Sequence, residues 1–271
     1  MTMAAWSNIT TENIGSLGLV TLNRPESRNP LDRTTATELL QAFSGFFEDP
    51  AIRSVAVTGA GEAFCAGGDL RQMERFSQMP AAEAFDWPSP IIELNRAMLQ
   101  APKPVIAAVH GPAYAGGMGL AGMCDIVLAT TDARFAMPEV KVGIFPMIIV
   151  AQLCRSIPRK HLLEMMFTGD PMTGDEAYRL GFANRVYPTR SDMMAGVKDY
   201  ARRFERASPD AIRLGRRTFG LLSEMSPDHA LDAAQFFVMP FHLGEDIKEG
   251  ASAFLNRRRP SWAGGDKEPD S

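Results

Sequence analysis

The chain contains 271 residues, of which 45% are hydrophobic and 22% are charged, an ordinary composition for a globular protein. Its formal net charge of −4 gives no general attraction to nucleic acid or to an anionic membrane surface, so we expect neither as a partner. Cys65, Cys124 and Cys154 are widely spaced and form no CxxC pair, which argues against a disulfide framework or a structural zinc site. Residues 1–6 lack a signal-peptide pattern and no apolar run is long enough for a bilayer, so we expect a soluble, cytoplasmic protein.

The first third of the chain alternates between strand-like and helical patterns. Apolar runs at 17–22 and 54–58 predict strands, and Asp32 between them is placed to cap a helix. A helix is predicted at 70–79, and another at 91–100. Prolines bracket the stretch between these two helices, which predicts an irregular and mobile segment.

The middle of the chain continues this alternation. Strands are predicted at 104–109, at 126–129 and around Val186, with helices at 158–168 and 173–180 that end at glycines. The alternation predicts an α/β core. From residue 191 the pattern is almost wholly helical, with helix starts at Ser208 and Ser226, each followed by Pro-Asp. We therefore expect a core over 1–200, a helical region over 201–259 and a disordered tail over 260–271.

Two glycine-rich turns are the most informative feature of the sequence. FCAGGD at 64–69 and AGGMG at 115–119 each follow an apolar strand-like run and lead into a helical pattern. Such a junction presents backbone N–H groups that have no partner within the helix. Side by side, the two turns would form an oxyanion hole, in which two fixed donors bind a carbonyl oxygen that gains charge during a reaction.

These turns and the segments around them resemble the crotonase superfamily, the enoyl-CoA hydratases and isomerases. The matching segments are LNRPE at 22–26, FCAGGDL at 64–70, VHGPAYAGG at 109–117, CDI at 124–126, PE at 138–139, VGI at 142–144, TGDEA at 173–177 and DIKEG at 246–250. The resemblance implies an α/β fold, a crotonase-like spiral of ββα units with a C-terminal helical trimerisation region. It also implies an acyl-CoA substrate, no cofactor or metal beyond the coenzyme A of that substrate, and a homotrimer or a dimer of trimers.

The resemblance assigns the oxyanion donors to the backbone N–H groups of Gly68 and Gly116, and a catalytic acid to Glu139. Hydratases carry a second glutamate where this chain has Gly119, which cannot transfer a proton. One carboxylate suffices for Δ3-Δ2 isomerisation, because it can take the α-proton of a β,γ-enoyl thioester and return it at the γ-carbon. The sequence therefore favours isomerase-type proton transfer over hydration. Without the resemblance, a structural ion pair would be the simpler interpretation of Glu139.

Other functions remain open. A substitute acid from the segment before 91, namely Glu74, Glu83 or Asp86, would restore hydration. Loss of the chemistry would leave a non-catalytic acyl-CoA-binding protein. A nicotinamide enzyme is disfavoured, because GMGLAG at 117–122 does not follow a strand directly.

Residues that contact the substrate are also implied by the resemblance. Arg28 would pair with a phosphate or stack on the adenine, whereas Arg24 suits a structural role in its turn. Tyr114 would donate to the acyl group, unless it is simply packed in the core. Phe254 and Arg257 would reach a neighbouring subunit's ligand, although Arg257 also fits a basic helix end. The complete implied set is Arg28, Ala66, Gly68, Asp69, Leu70, Tyr114, Gly116, Phe254 and Arg257.

Overall fold

The protein folds into strands that alternate with helices, followed by a helical C-terminal region. The structure, a computed structural model, describes residues 6–68 and 78–263. The strands are β1 Ile9–Ile14, β2 Leu17–Leu22, β3 Ser54–Gly59, β4 Val105–Val109, β5 Pro112–Tyr114, β6 Ile126–Thr130, β7 Arg134–Ala136, β8 Met172–Thr173 and β9 Arg185–Tyr187. The helices are α1 Arg33–Glu48, α2 Ala81–Asp86, α3 Ser89–Leu99, α4 Gly116–Gly122, α5 Met147–Leu153, α6 Arg159–Thr168, α7 Gly174–Arg179, α8 Arg190–Glu205, α9 Pro209–Leu222, α10 Pro227–Phe237, α11 Met239–Leu243 and α12 Glu245–Leu255. Short 3-10 turns lie at Pro25–Ser27, Pro138–Val142 and Ser261–Ala263.

The strands form two sheets. The larger has the order β1-β2-β3-β4-β6-β9, and all its pairs are parallel except β1 with β2. The smaller has the order β5-β7-β8, with β5 and β7 parallel. Parallel neighbours need crossover connections, which the intervening helices supply, so the predicted α/β core is confirmed.

Both faces of the larger sheet are covered by apolar side chains. Val55 and Val57 of β3 point into the main core, which α1 and α3 help to build. Ala56 points to the opposite face, where Met193 and Val197 of α8 pack against it. This alternation follows from the two-residue period of a strand and explains why these strands read as continuous apolar runs.

Several predicted helix boundaries are confirmed by capping contacts. The Asp32 side chain accepts a hydrogen bond from the N–H of Thr35 at 2.8 Å and so caps α1. Thr173 and Glu176 form a reciprocal capping box at the start of α7. Gly169 ends α6 with a φ of +65°, a conformation that glycine adopts without strain.

The segment between residues 80 and 90 corrects one prediction. It was expected to be irregular, but it contains the helix Ala81–Asp86 and the first turn of α3. The alanines favour a helix, and Pro90 lies in the first turn of α3, where the missing N–H has no intrahelical partner to lose. The predicted helix at 70–79 lies outside the described residues apart from 78 and 79, which form a turn.

The C-terminal region is tied to the core by Arg216 of α9. Its guanidinium donates to the carbonyl oxygens of Met98, Leu99 and Ala101 at 2.7, 3.0 and 2.8 Å, and pairs with Asp125 at 2.8 Å. The carbonyls of Met98 and Leu99 belong to the C-terminal end of α3, where a cation is favoured, and that of Ala101 lies in the loop that follows. A single side chain thus connects the helical region to the helix and loop that precede β4.

The end of the chain departs in part from the predicted tail. Residues 261–263 form a 3-10 turn, and the Arg53 guanidinium donates to the carbonyl oxygen of Trp262 at 3.1 Å. This contact orders residues that the polar composition predicted to be disordered, while 264–271 lie outside the described residues. The predicted boundary at residue 200 falls inside α8.

Within the described ranges, no helix has both the length and the apolar character needed to cross a bilayer.

Candidate active site

Three parallel segments carry the candidate residues to one edge of the smaller sheet. Cys65 pairs with Ala113 of β5 in a parallel bridge, and Tyr114 of β5 pairs with Ala136 of β7. The Tyr114 N–H donates to the carbonyl oxygen of Cys65 at 2.9 Å. Because all three segments run in the same direction, the residues that follow them emerge together. These residues include Gly68, Gly116 and Glu139.

The first turn is held so that the N–H of Gly68 faces away from Leu31. The carbonyl oxygen of Gly67 accepts a hydrogen bond from the Leu31 N–H at 2.8 Å. In a trans peptide the N–H points opposite to the C=O, which fixes the direction of the next N–H. A Cβ atom on Gly67 would lie 2.6 Å from the Cβ of Ala115 and 3.5 Å from the nitrogen of Gly116. The two turns are therefore in direct contact.

The second turn depends on a strained alanine. Ala115 has a φ of +49° and a ψ of −123°, a conformation that a residue with a Cβ rarely adopts. Its N–H donates to Ala136 at 2.8 Å, and its carbonyl oxygen accepts from the Gly119 N–H at 3.0 Å. This carbonyl points along α4, so the N–H of Gly116 points out of the start of the helix.

Neither glycine nitrogen of the candidate oxyanion hole is used by the fold. Among the described residues, the N–H groups of Gly68 and Gly116 donate no hydrogen bond. Gly117 brings the turns close, because a Cβ there would lie 2.2 Å from the carbonyl oxygen of Cys65. Two unpaired donors on adjoining turns can bind one oxygen that gains negative charge.

Glu139 is buried three residues after the end of β7, the strand that pairs with β5. The residue is 7% exposed, and its Oε2 has no hydrogen-bond partner in the described part of the chain. Burial raises the pKa of Glu139 from its ordinary value, and a hydrogen bond from its own backbone partly opposes this shift. No ion pair with Glu139 is found within the described ranges, whereas the simpler structural interpretation required one. A buried carboxylate with a raised pKa is suited to take up and return a proton.

Position 119 faces an apolar side chain. A Cβ on Gly119 would lie 3.2 and 3.3 Å from the two γ-carbons of Ile149, which is tighter than ordinary packing. Gly119 and Ile149 also line one narrow cavity together with Gly116. The space next to position 119 is thus occupied by the hydrocarbon side chain of Ile149.

The proposed coenzyme A contacts Arg28 and Ala66 are brought together by the backbone. The Ala66 N–H donates to the carbonyl oxygen of Arg28 at 2.9 Å, and the Arg28 side chain is exposed. Arg24 forms an ion pair with Asp32, the cap of α1, which confirms its structural role.

Asn29, which sequence reasoning missed, joins this turn to the first glycine turn. Its side chain donates to the carbonyl oxygens of residues 60 and 63 at 2.8 Å each, and the Asn29-Pro30 pair was the available turn signal.

The remaining candidate residues are less closely assembled. Tyr114 is half-buried next to the second turn. Phe254 is 84% exposed at the end of α12, and no hydrogen bond, ion pair or ring contact among the described residues joins it or Arg257 to the other candidates. Glu83 and Asp86 are exposed on α2. Asp69, Leu70 and Glu74 lie outside the described residues.

The chain is similar to one protein family and to several known proteins and solved structures. The enoyl-CoA hydratase/isomerase family model matches residues 12–265. A crotonyl-CoA hydratase of Syntrophomonas wolfei is 33% identical over 261 residues, covering 95% of this chain and 98% of the relative. A carnitinyl-CoA dehydratase of Proteus mirabilis is 33% identical over 260 residues, covering 92% and 96%. The crystal structure of an enoyl-CoA hydratase from Mycobacterium smegmatis superposes with a TM-score of 0.87 at 32% identity, covering 94% and 99%. These matches confirm the predicted crotonase-like fold.

Proposed function

Since this chain belongs to the enoyl-CoA hydratase/isomerase family of enzymes, we propose that it isomerises a 3-enoyl-CoA thioester to the 2-enoyl isomer. The observation that carries the proposal is the combination of one buried carboxylate with two backbone donors, none of which has a partner among the described residues. Glu139 supplies the carboxylate, and Gly68 and Gly116 supply the donors. No second acid is present at position 119, where the hydratases that the chain resembles carry one.

The proposed reaction is a proton shuttle through one residue. Glu139 removes a proton from the α-carbon, and the electron pair moves toward the thioester oxygen to give an enolate. The N–H groups of Gly68 and Gly116 stabilise the charge on that oxygen. When the enolate collapses, the double bond forms between the α- and β-carbons and the γ-carbon takes the proton back from Glu139. Every proton removed is returned, so no other acid or cofactor is required.

Hydration by two glutamates is disfavoured by the surroundings of position 119. Several relatives are named as hydratases, and such a reaction needs a group that holds and activates water. Here Ile149 occupies the space beside Gly119, and it neither donates nor accepts a proton. Glu83 and Asp86, two of the substitute acids considered, are solvent-exposed on α2.

The proposed substrate is bound through its coenzyme A moiety by two neighbouring turns. Arg28 is exposed beside Ala66, so its guanidinium is free to meet a phosphate or an adenine ring. Tyr114 lines the acyl end of the site. Phe254 and Arg257 are placed on a neighbouring subunit's ligand, since within one chain they stand apart from the other candidates.

We assign residues 201–259 to oligomerisation, as a homotrimer or a dimer of trimers. The helices of this region expose large apolar side chains, which in water favour association. Leu231 and Phe236 of α10 are 73% and 71% exposed, and Phe254 of α12 is 84% exposed. The cysteines are free, as expected of a protein in the reducing cytoplasm, which is the location we propose.

The test is a product analysis with a matched pair of proteins. The parent and Glu139→Gln are incubated with 3-enoyl and 2-enoyl thioesters, and double-bond migration and water addition are followed by NMR. We expect the parent to migrate the double bond and the variant to lose at least about 100-fold in rate, while it still binds a saturated acyl-CoA. Retained activity in the variant would remove Glu139 from the mechanism. A parent that binds every thioester and converts none would be a non-catalytic acyl-CoA-binding protein.

A further inference from the structure

The cavity beside Gly116 contains two amide side chains that the proposed reaction does not use. Helices α3, α4 and α5 enclose it, and most of its wall is apolar. The wall includes Leu31, Ile91, Leu94, Leu120, Met123 and Ile149. Asn95 of α3 and Gln152 of α5 contribute the polar side chains.

The side-chain amides of Asn95 and Gln152 have hydrogen-bond donors and acceptors without partners among the described residues. Both are half-buried, and within the described parts of the chain neither side chain forms a hydrogen bond. An amide has donors and an acceptor, each of which can bind a water molecule or a polar group of a ligand. A hydrocarbon group that entered the cavity would leave these donors and acceptors without hydrogen bonds, which disfavours binding.

The size and charge of the cavity restrict what can replace the water. Its volume of ≈ 20 Å³ corresponds to about one water molecule, which is also the size of a single hydroxyl or carbonyl oxygen. No charged side chain of the described residues lines it, so a carboxylate would have no counter-ion. A neutral oxygen atom is small enough for the cavity and needs no counter-ion.

Building on the proposed function, we propose that the acyl group of the natural substrate carries a neutral hydroxyl or keto group, which Asn95 and Gln152 bind. Gly116 also lines this cavity, so the cavity adjoins the second glycine turn. Its volume admits the oxygen of such a group, while the rest of the acyl chain lies outside it. Asn95 and Gln152 are in this account specificity-determining residues.

Binding of unreactive thioesters tests the inference separately from the isomerase chemistry. Saturated acyl-CoA thioesters of four to eight carbons are prepared in pairs, with and without a terminal hydroxyl group, and their dissociation constants are measured by calorimetry. We expect one hydroxylated member to bind the parent at least about tenfold more tightly than its plain counterpart. Asn95→Leu and Gln152→Leu should each remove most of this preference, and exposed Glu93→Gln on the same helix should leave it unchanged.

Each outcome decides the inference. Equal binding of every pair by the parent would overturn it, and this measurement does not depend on whether the variants fold. A preference that survives both leucine substitutions would also overturn the assignment to these two residues. If the parent prefers the hydroxylated thioesters but isomerises none, the binding inference holds and the proposed isomerase function fails.

Discussion

Gly119 of α4 and Ile149 of α5 are fitted to each other: a Cβ at position 119 would lie 3.2 Å from the nearest γ-carbon of Ile149. A contact this short requires the neighbour to shift, and a glutamate would add a longer side chain to the same space. The absence of an acid at position 119 and the presence of isoleucine at position 149 therefore go together. Introducing an acid at position 119 while Ile149 remains does not recreate a hydratase site.

Hydration should be recoverable only by changing both residues. We expect Gly119→Glu to add no water to a 2-enoyl thioester, because Ile149 obstructs the new carboxylate. Gly119→Glu combined with Ile149→Ala should form measurable 3-hydroxyacyl product, with Ile149→Ala alone as the control. The product is quantified by chromatography. Equal hydration by Gly119→Glu alone and by the double variant would contradict this relationship.

The raised pKa of Glu139 predicts the pH dependence of the rate. Glu139 acts as a base only when ionised, so kcat/KM should fall as the pH decreases through the pKa of the free enzyme. Because burial raises that pKa, the acid limb should lie above the ordinary carboxyl value of 4.5. A pH–rate profile from pH 4 to 8 measures it. A midpoint at or below the ordinary value would show that the base is a solvent-exposed carboxylate.

The same burial predicts an effect on stability. A carboxyl whose pKa is higher in the folded state binds more protons there than in the unfolded state, so its contribution to stability falls as the pH rises through this window. Glu139→Gln should therefore melt at a higher temperature than the parent at neutral pH. The difference should vanish below the ordinary carboxyl pKa. Calorimetry at both pH values measures it, and a neutral-pH melting temperature below that of the parent would contradict the expectation.

Because the backbone of Ala115 is strained, we predict that its replacement by glycine increases the stability of the protein and lowers its activity. A residue with a Cβ at a φ of +49° is strained by about 1–3 kcal/mol, and glycine would relieve this while increasing the freedom of the unfolded chain. We expect Ala115→Gly to raise the free energy of unfolding by about 1 kcal/mol and to lower kcat, since the Gly116 N–H is held less firmly. Ala211→Gly in helix α9 is the control, with an expected loss of about 0.5–1 kcal/mol. Denaturant titration with parallel kinetics distinguishes the two effects, and a destabilised Ala115→Gly would argue against strain.

Arg216 should make a large contribution to holding the C-terminal helices on the core. A lysine cannot reach the three carbonyl oxygens and Asp125 at once, so Arg216→Lys should lower the free energy of unfolding by about 2 kcal/mol. Arg213→Lys is the matched control, because among the described residues the Arg213 side chain pairs with Asp210 alone, on the surface of the same helix. Its change should stay below about 0.5 kcal/mol. Equal effects of the two substitutions would mean that Arg216 does not fasten the region.

The exposed apolar side chains of α10 predict a mutation that would dissociate the proposed oligomer. Leu231→Glu combined with Phe236→Glu should reduce the mass measured by light scattering to that of one chain, because buried charges would be left without partners. Phe85→Glu is the control, since Phe85 of α2 is also largely exposed, at 83%, but lies outside the C-terminal helices. An unchanged mass in the double variant would exclude α10 from the interface.

The sequence was most informative where chemistry depends on local pattern. The two glycine turns and the caps at Asp32 and Thr173 could be predicted because each is encoded within a few neighbouring residues. The role proposed for Glu139, in contrast, came from the family resemblance. The pairing of parallel segments, which brings the turns together, followed only from the family resemblance.

The features that sequence reasoning missed depend on contacts between distant segments. Nothing near Gly119 indicates that Ile149 packs against it, and nothing near Trp262 indicates that Arg53 orders it. The positive φ of Ala115 is imposed by its hydrogen bonds rather than by its residue type. Helix α2 was missed because the flanking prolines indicate breaks in a helix, although the alanines between them favour one.

The transfer of an isotope label tests the central claim most directly. A 3-enoyl thioester with deuterium on its α-carbon is converted by the parent, and the label is located in the 2-enoyl product by NMR. Because Glu139 is buried and carries the same hydrogen from the α- to the γ-carbon, we predict that part of the deuterium appears at the γ-carbon. A product whose γ-carbon carries only solvent hydrogen, or a 3-hydroxyacyl product in place of the isomer, would contradict the account.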